Sequence, residues 1–97
     1  MLVGVVHTEH PEARELVVSD HALLRFRERS PVREAGTGAV AAALRRELEH
    51  ADVSGWPPAW AVSDRPAELW ATTADLAFPL ARTDVAGRWI AITCLRR

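Results

Sequence analysis

Two apolar runs in the last quarter of the chain, at residues 75–82 and 88–95, are the feature that most constrains its fold. They alternate in character and a short turn separates them, so together they predict a β-hairpin. A hairpin centred on Val85, with Gly87 supplying a permissive backbone angle, places the apolar residues of the two strands opposite one another. The predicted pairs are Leu76 with Cys94, Phe78 with Ile92, and Leu80 with Ile90. This register buries all six side chains on one face.

The other face of the hairpin carries mostly small side chains, which leaves room for a ligand or for a closely packed element. These residues are Ala77, Pro79, Ala81, Trp89, Ala91 and Thr93. Pro79 has no backbone N–H to donate, so its strand is expected at an edge of the sheet or with a bulge. Shorter extended segments are predicted at residues 2–6, 15–18, 59–63 and 68–72.

Two helices are predicted before this β half. The first covers residues 19–30, because Ser19 or Asp20 can cap its first turn and Pro31 cannot continue it. The second covers residues 39–51, where apolar residues recur at helical spacing. Its apolar stripe consists of Val40, Leu44, Leu48 and Ala51. We expect the apolar face of the hairpin to pack against this stripe and against the first helix.

One side of the first helix, called here the polar arc, concentrates residues that can do chemistry. Each residue of an α-helix is rotated by about 100° from the one before it, and on this basis the four residues of the polar arc lie within about 100° around the helix axis. They are His21, Arg25, Glu28 and Arg29. Two interpretations stay open. A helix face of arginine and glutamate is commonly a solvated surface with ion pairs. Alternatively, arginine binds phosphate and histidine transfers protons near neutral pH, so the arc would form an RNA-phosphate site.

Composition limits the classes of function. The 97 residues include 12 basic and 13 acidic side chains, and the net charge of −1 argues against non-specific nucleic-acid binding while allowing a local basic patch. The single cysteine excludes an internal disulfide and fits a reducing cytoplasm. The apolar start of the chain, residues 1–6, is too short for a signal segment or a membrane span. We expect one soluble, cytoplasmic domain over residues 1–97, with 1–14 either an extra strand or a flexible extension.

Other groups of residues point to chemistry less specifically. His7 and His10 flank Glu9 with a spacing that can hold a metal, but two ligands do not close a site, so we predict no metal and no cofactor. Cys94 falls on the core face of the hairpin, where a buried, inert thiol is expected rather than a nucleophile. The tryptophans can stack nucleic-acid bases, but in a small domain we favour a core or self-association role. They are Trp56, Trp60, Trp70 and Trp89.

Two short motifs resemble those of a group of small bacterial and phage proteins. Residues 21–29 read HALLRFRER, which fits a His-Ala-x-x-Arg-x-x-x-Arg helix, and residues 92–95 read ITCL, which fits a final Ile/Val-Thr-x-x strand. The group is related to RelE/ParE/BrnT-like toxins, whose wider fold includes barnase-like and colicin-like ribonucleases. The resemblance covers about residues 16–97. It implies an α+β fold, with two N-terminal helices packed on a twisted antiparallel sheet of about four strands.

The resemblance also implies metal-independent RNA cleavage at a site where the first helix meets the sheet. On that basis the predicted catalytic residues are His21 for proton transfer, Arg25 and Arg29 for the phosphate, and Thr93 for a hydrogen bond. Arg82 and Arg88 are the predicted substrate-binding residues. RNA binding by a chain of charge −1 requires its basic residues to gather on one surface. The residues available for this are Arg25, Arg29, Arg82, Arg88, Arg96 and Arg97.

The alternative function is that of a non-catalytic interaction module. Such a phage or host accessory protein would act through a protein partner or as a homodimer, whereas a toxin would have an antitoxin as its partner. Its binding would depend on apolar surface such as Trp56 and Trp60 rather than on segregated charge. The sequence does not discriminate between the two functions, nor does it identify an RNA substrate.

Overall fold

The computed structural model describes residues 4–29, 36–62 and 66–97. The helices in these ranges are α1 (Asp20–Arg29) and α2 (Thr37–Glu49). The strands are β1 (Val6–His7), β2 (Glu15–Val18), β3 (Asp52–Ser54), β4 (Leu69–Thr72), β5 (Leu76–Arg82), β6 (Arg88–Ala91) and β7 (Leu95–Arg96). The prediction of an α+β fold with two helices in the N-terminal half is confirmed. Pro31, the predicted end of the first helix, lies outside the described residues.

The strands form one curled, mixed sheet in the order β1-β2-β6-β5-β4-β3, and β7 pairs with β5 beyond the end of β6. The sheet therefore has more strands than the four expected. It is also not purely antiparallel, because β2 and β6 run parallel, with Leu16 opposite Trp89. A parallel pair needs a crossover connection. Here the chain between the two strands supplies it, passing through α1, α2 and the strands that precede β6.

The predicted register of the β5–β6 hairpin is wrong by one residue. Leu80 pairs with Ala91 instead of Ile90, and the shift places Trp89 and Ala91 in the core while Ile90 is only half-buried. The larger Trp89 side chain removes more apolar surface from water than Ile90 would, which favours the observed register. Gly87 does adopt a positive φ of 79°, as the predicted turn required. Ile92, also expected in the core, is likewise half-buried.

Pro79 lies in a central strand, since β5 has β4 on one side and β6 with β7 on the other. Its carbonyl accepts a hydrogen bond from the Ile92 N–H at 3.1 Å. The backbone N–H that a proline lacks would point to this same side of β5, toward β6 and the residues that follow it. The ladder on that side is interrupted. Leu80 pairs with Ala91 but Ala77 pairs with Leu95, so the two residues of β5 between these pairs oppose three residues of the partner chain. The extra residue forms a bulge in the chain between β6 and β7, so the prediction that the strand of Pro79 itself lies at an edge or carries a bulge is wrong.

The core lies between the helices and the sheet. Phe78 and Leu80 of β5 are fully buried with Leu44 and Leu48 of α2, as predicted, and α1 adds Phe26. Two strand predictions are wrong. Residues 59–62 are not a strand, whereas the segment after α2, where no strand was predicted, forms β3. β1 begins at Val6, at the end of the predicted 2–6 strand, and residues 1–3 lie outside the described residues.

The tryptophans divide between core and surface. Trp70 and Trp89 are 4% and 3% exposed, as a core role requires. Trp56, in contrast, is 80% exposed, and Trp60 is half-buried. The prediction of a core role therefore holds for only two of them, and Trp56 presents its ring to solvent.

Candidate functional site

The α1 helix is fixed to the chain segment that follows β6. The Ser19 hydroxyl accepts the Ala22 N–H at 3.0 Å, which caps the first turn, and donates to the Ile92 carbonyl at 3.2 Å. The Ser19 N–H donates to the Ala91 carbonyl at 3.0 Å. At the other end, the Arg96 guanidinium donates to the Arg29 carbonyl. Both ends of α1 are therefore held against the segment from Ala91 to Arg96.

The polar arc lies on a different side of α1 from the one that faces α2. Asp20, Leu23 and Arg27 line a cleft of about 210 Å³ together with the start of α2. The arc itself begins with His21, which is exposed and has no hydrogen-bond partner among the residues that the structure describes. Arg25 forms an ion pair with Glu28 at 3.2 Å, in which both side chains remain more than 40% exposed. That pair is the solvated-surface arrangement, so it holds Arg25 only weakly.

Arg29 and Arg96 gather at the far end of α1, near the last strand. Burial raises the pKa of Cys94 to about 12, and the positive charges of Arg29 and Arg96 act in the opposite direction. Both guanidinium groups therefore lie close enough to influence the same thiol. Cys94 is completely buried, as predicted, and its raised pKa makes it an unreactive thiol. Thr93 precedes it and is half-buried in the interval between β6 and β7.

The two predicted substrate-binding arginines lie elsewhere. Arg82 ends β5 at the hairpin turn, whereas Arg96 pairs with Leu76 at the start of β5, so about 20 Å of strand separates them. Arg82 makes a bidentate ion pair with Glu68, at 3.0 and 3.2 Å, and its guanidinium lies 4.7 Å from the centre of the Trp89 ring. The hydrogen bonds and charge of this pair lower the pKa of Glu68 and raise that of Arg82.

Arg88, at the same end of the hairpin, forms an ion pair with Glu15 of β2 at 3.1 Å. The hairpin-turn arginines are thus both matched with carboxylates. The structure brings together α1 and the last strand, with Arg29 and Arg96 at one end of that junction. It does not place Arg82 and Arg88 beside them. Their role in substrate binding stays a prediction, and one surface holding all six arginines is not observed.

The chain matches no known family model, no curated protein sequence and no solved structure. No helix of the described ranges is long and apolar enough to cross a membrane. Within those ranges, no group of three or more His, Cys, Asp or Glu side chains is arranged to hold a metal ion. His7 and His10, the pair considered for metal, therefore find no third ligand there.

A second group of polar residues was missed from the sequence. A cleft of about 510 Å³, called here the edge cleft, is lined by residues 7–10 on one side and 48–53 on the other. His50 ends α2, and its Nδ1 lies 2.8 Å from the Arg46 carbonyl. His10 Nδ1 accepts the N–H groups of Glu12 and Ala13 at 3.1 and 3.2 Å. The only signal in the sequence was the repeated pairing of histidine with acidic neighbours, at 7–10 and again at 49–52.

Proposed function

We propose that this protein is a RelE-like ribonuclease that cleaves RNA without a metal ion, at the junction of α1 and the last strand. The attachment of both ends of α1 to the segment from Ala91 to Arg96 carries the proposal. It joins the two ends of the helix motif to the two ends of the last-strand motif, which supports treating both motifs as one region. Ser19 makes two of the three contacts and Arg96 makes the third.

The proposed chemistry assigns each group one task. The ribose 2′-oxygen attacks the neighbouring phosphorus, the bond to the 5′-oxygen breaks, and a 2′,3′-cyclic phosphate forms. The leaving 5′-oxygen takes up a proton from water and departs as an alcohol. His21 accepts the 2′-OH proton, for which an exposed imidazole with no hydrogen-bond partner in the described ranges is suited. Arg25 and Arg29 donate to the phosphate oxygens as their charge grows, with Thr93 as a further donor. Arg96 is added to the predicted set because it lies beside Arg29.

RNA binding is tested first, with a labelled single-stranded RNA at about 50 and 200 mM salt. We expect affinity to fall steeply as salt rises, since released counterions drive the binding. Arg29→Ala should lower the slope of log K against log salt by about 1. Arg46→Ala removes the same charge from the exposed face of α2 and is the matched control, with an unchanged slope. Absence of binding at both salt concentrations would exclude the ribonuclease.

Cleavage is tested on the same RNA. His21→Ala should abolish the cyclic-phosphate product and leave RNA affinity within about twofold of the wild type, because the imidazole transfers a proton rather than holding the phosphate. Induced expression should arrest growth for the wild type and not for His21→Ala. A His21→Ala protein that still cleaves RNA would remove His21 from the mechanism.

The exposed apolar surface after β3 favours the second candidate, an interaction module. Trp56 and Val62 are 80% and 88% exposed, and Pro57 and Pro58 stiffen the chain between them. Large apolar groups in solvent commonly mark contacts with another protein. If this function is the correct one, Trp56→Ala abolishes partner binding or self-association, while His21→Ala has no effect. Sedimentation of the two variants at several concentrations distinguishes the homodimer from the monomer.

A further inference from the structure

The two end strands of the sheet line the same cleft. β1 is the first strand in the sheet order and β3 is the last, and within the described residues each pairs with a neighbour on one side only. The sheet curls so that His7 of β1 and Val53 of β3 both border the edge cleft. Edge strands carry backbone donors and acceptors on their outer side, which a further strand can pair with. The edge cleft is therefore the place where the curled sheet is open.

The charge of the lining selects the kind of ligand. Glu9 and Asp52 border the edge cleft, and neither forms an ion pair with any described residue. A third carboxylate, Glu49, is matched by Arg45 at 3.0 Å. Carboxylates without a counter-charge favour a cationic ligand and disfavour a phosphate.

The edge cleft also offers neutral hydrogen-bonding groups. His10 Nδ1 accepts two backbone N–H groups, so its proton lies on Nε2, which can donate. His50 Nδ1 faces the Arg46 carbonyl and donates to it, so that in the neutral ring Nε2 is an acceptor. A polypeptide backbone presents both donors and acceptors, whereas a metal ion presents neither. In the described ranges the acidic and histidine side chains are also not grouped closely enough to hold a metal.

We propose that the edge cleft binds a short basic peptide segment in an extended conformation, paired with the outer edge of β3. Backbone hydrogen bonds to an edge strand supply the affinity, and alternate side chains supply the selectivity. In this complex the basic side chains of the peptide form ion pairs with Glu9 and Asp52. β3 has three residues, so the paired stretch of peptide spans about 10 Å. The proposal does not depend on RNA cleavage, since the edge cleft contains none of the residues assigned to it.

The probe is a fluorescein-labelled peptide of alternating arginine and valine, seven residues long, whose binding to the whole chain is followed by fluorescence anisotropy. We expect Asp52→Asn and Glu9→Gln each to weaken its binding about fivefold, as the loss of one partly exposed ion pair predicts. Asp84→Asn removes the same charge from the hairpin turn and is the matched control, with unchanged binding. The same peptide with glutamate in place of arginine should not bind.

Two further peptides separate strand pairing from simple charge attraction. One is N-methylated at every valine and the other at every arginine, so each lacks the backbone donors of one strand edge and keeps all its charges. One of the two should bind at least about tenfold more weakly than the parent, because its donors would face β3. Hydrogen exchange at residues 52–54 should slow when the parent peptide binds.

Several results would overturn the proposal. Equal binding of both N-methylated peptides would show that charge alone is responsible, and binding that Asp52→Asn and Glu9→Gln leave unchanged would place the peptide elsewhere. A lack of any anisotropy change up to about 1 mM peptide would exclude the site. If the chain instead forms a dimer that slows exchange at residues 52–54 without peptide, the occupant of the edge cleft is a second copy.

Discussion

Cys94 makes the stability of this protein sensitive to alkaline pH in a way that one substitution can isolate. Burial raises its pKa from 9.0 to about 12. The chain contains no tyrosine, and all 12 of its basic residues are arginine. Between pH 9 and 12 no other side chain type of this chain changes its charge to a large extent. The thiol therefore dominates the pH dependence of folding in this range.

The sign and size follow from proton linkage. Above pH 9 the unfolded chain has lost the thiol proton, whereas the native chain keeps it until about pH 12. The unfolded state thus binds fewer protons, so the free energy of unfolding falls as pH rises. The slope approaches about 1.4 kcal/mol per pH unit, and the contribution is fully present only below pH 9. Over the whole interval the loss is about 4 kcal/mol.

Urea unfolding followed by tryptophan fluorescence measures this slope. Cys94→Ala is the matched control: it loses some packing at every pH, but its free energy of unfolding should hardly change between pH 9 and 11. A thiol reagent gives a second readout, because native Cys94 should react only as fast as the protein opens. A wild-type slope equal to that of Cys94→Ala would show that the thiol is not protected by burial, and the reasoning would fail.

Three further substitutions test the fold. Ser19→Ala removes the α1 cap and the bond to the Ile92 carbonyl, so we expect a loss of about 2 kcal/mol. Ser54→Ala, whose hydroxyl bonds only to the exposed turn after β3, should lose less than about 0.5 kcal/mol, and equal losses would mean that Ser19 does not hold α1. Phe78→Ala should cost about 3–5 kcal/mol in urea unfolding because Phe78 is fully buried, and a loss below about 1 would contradict its place in the core. Gly87→Ala should cost about 1 kcal/mol or more, since φ is positive there, whereas Gly55→Ala meets only ordinary contacts and should be nearly neutral by thermal unfolding.

The helices were predictable because their signals are local. Val40, Leu44 and Leu48 recur at helical spacing, and α2 begins and ends within two residues of the predicted helix. Ser19 is followed by α1 at Asp20, as a capping residue should be. Each of these signals involves residues at most a few positions apart in the sequence. Local physics is enough to determine them.

The sheet was less predictable because its pattern allowed two registers. Trp89 and Ala91 on one face compete with Ile90 and Ile92 on the other, and both sets are apolar. Hydrophobic alternation alone therefore does not decide which face is buried. The parallel pairing of β2 with β6 is also not indicated by any local sequence pattern, because Glu15 and Arg88 lie 73 positions apart.

The candidate site, like the fold, was predictable where the signal is local and not where distant segments come together. The grouping of His21, Arg25 and Arg29 on one side of α1 follows from helical geometry. The edge cleft forms between residues 7–10 and residues 48–53, which are distant in the sequence. Only the curl of the sheet brings these two segments together. Nothing in the sequence distinguishes Arg82 and Arg88 from the other arginines. Strand pairing nevertheless places them at the end of β5 that lies away from the last strand.

The parallel β2–β6 pair has a consequence for how the protein is made. β2 emerges from the ribosome before its partner β6, which follows 73 residues later, counted from Glu15 to Arg88. At roughly 5–20 residues per second, translation takes about 4–15 s to deliver that partner. During this time Leu16 and the apolar side of α1 have no sheet to cover them. A chaperone that recognises apolar segments would therefore meet the nascent chain at residues 15–29, and slower translation of the β4–β6 region would lengthen that encounter.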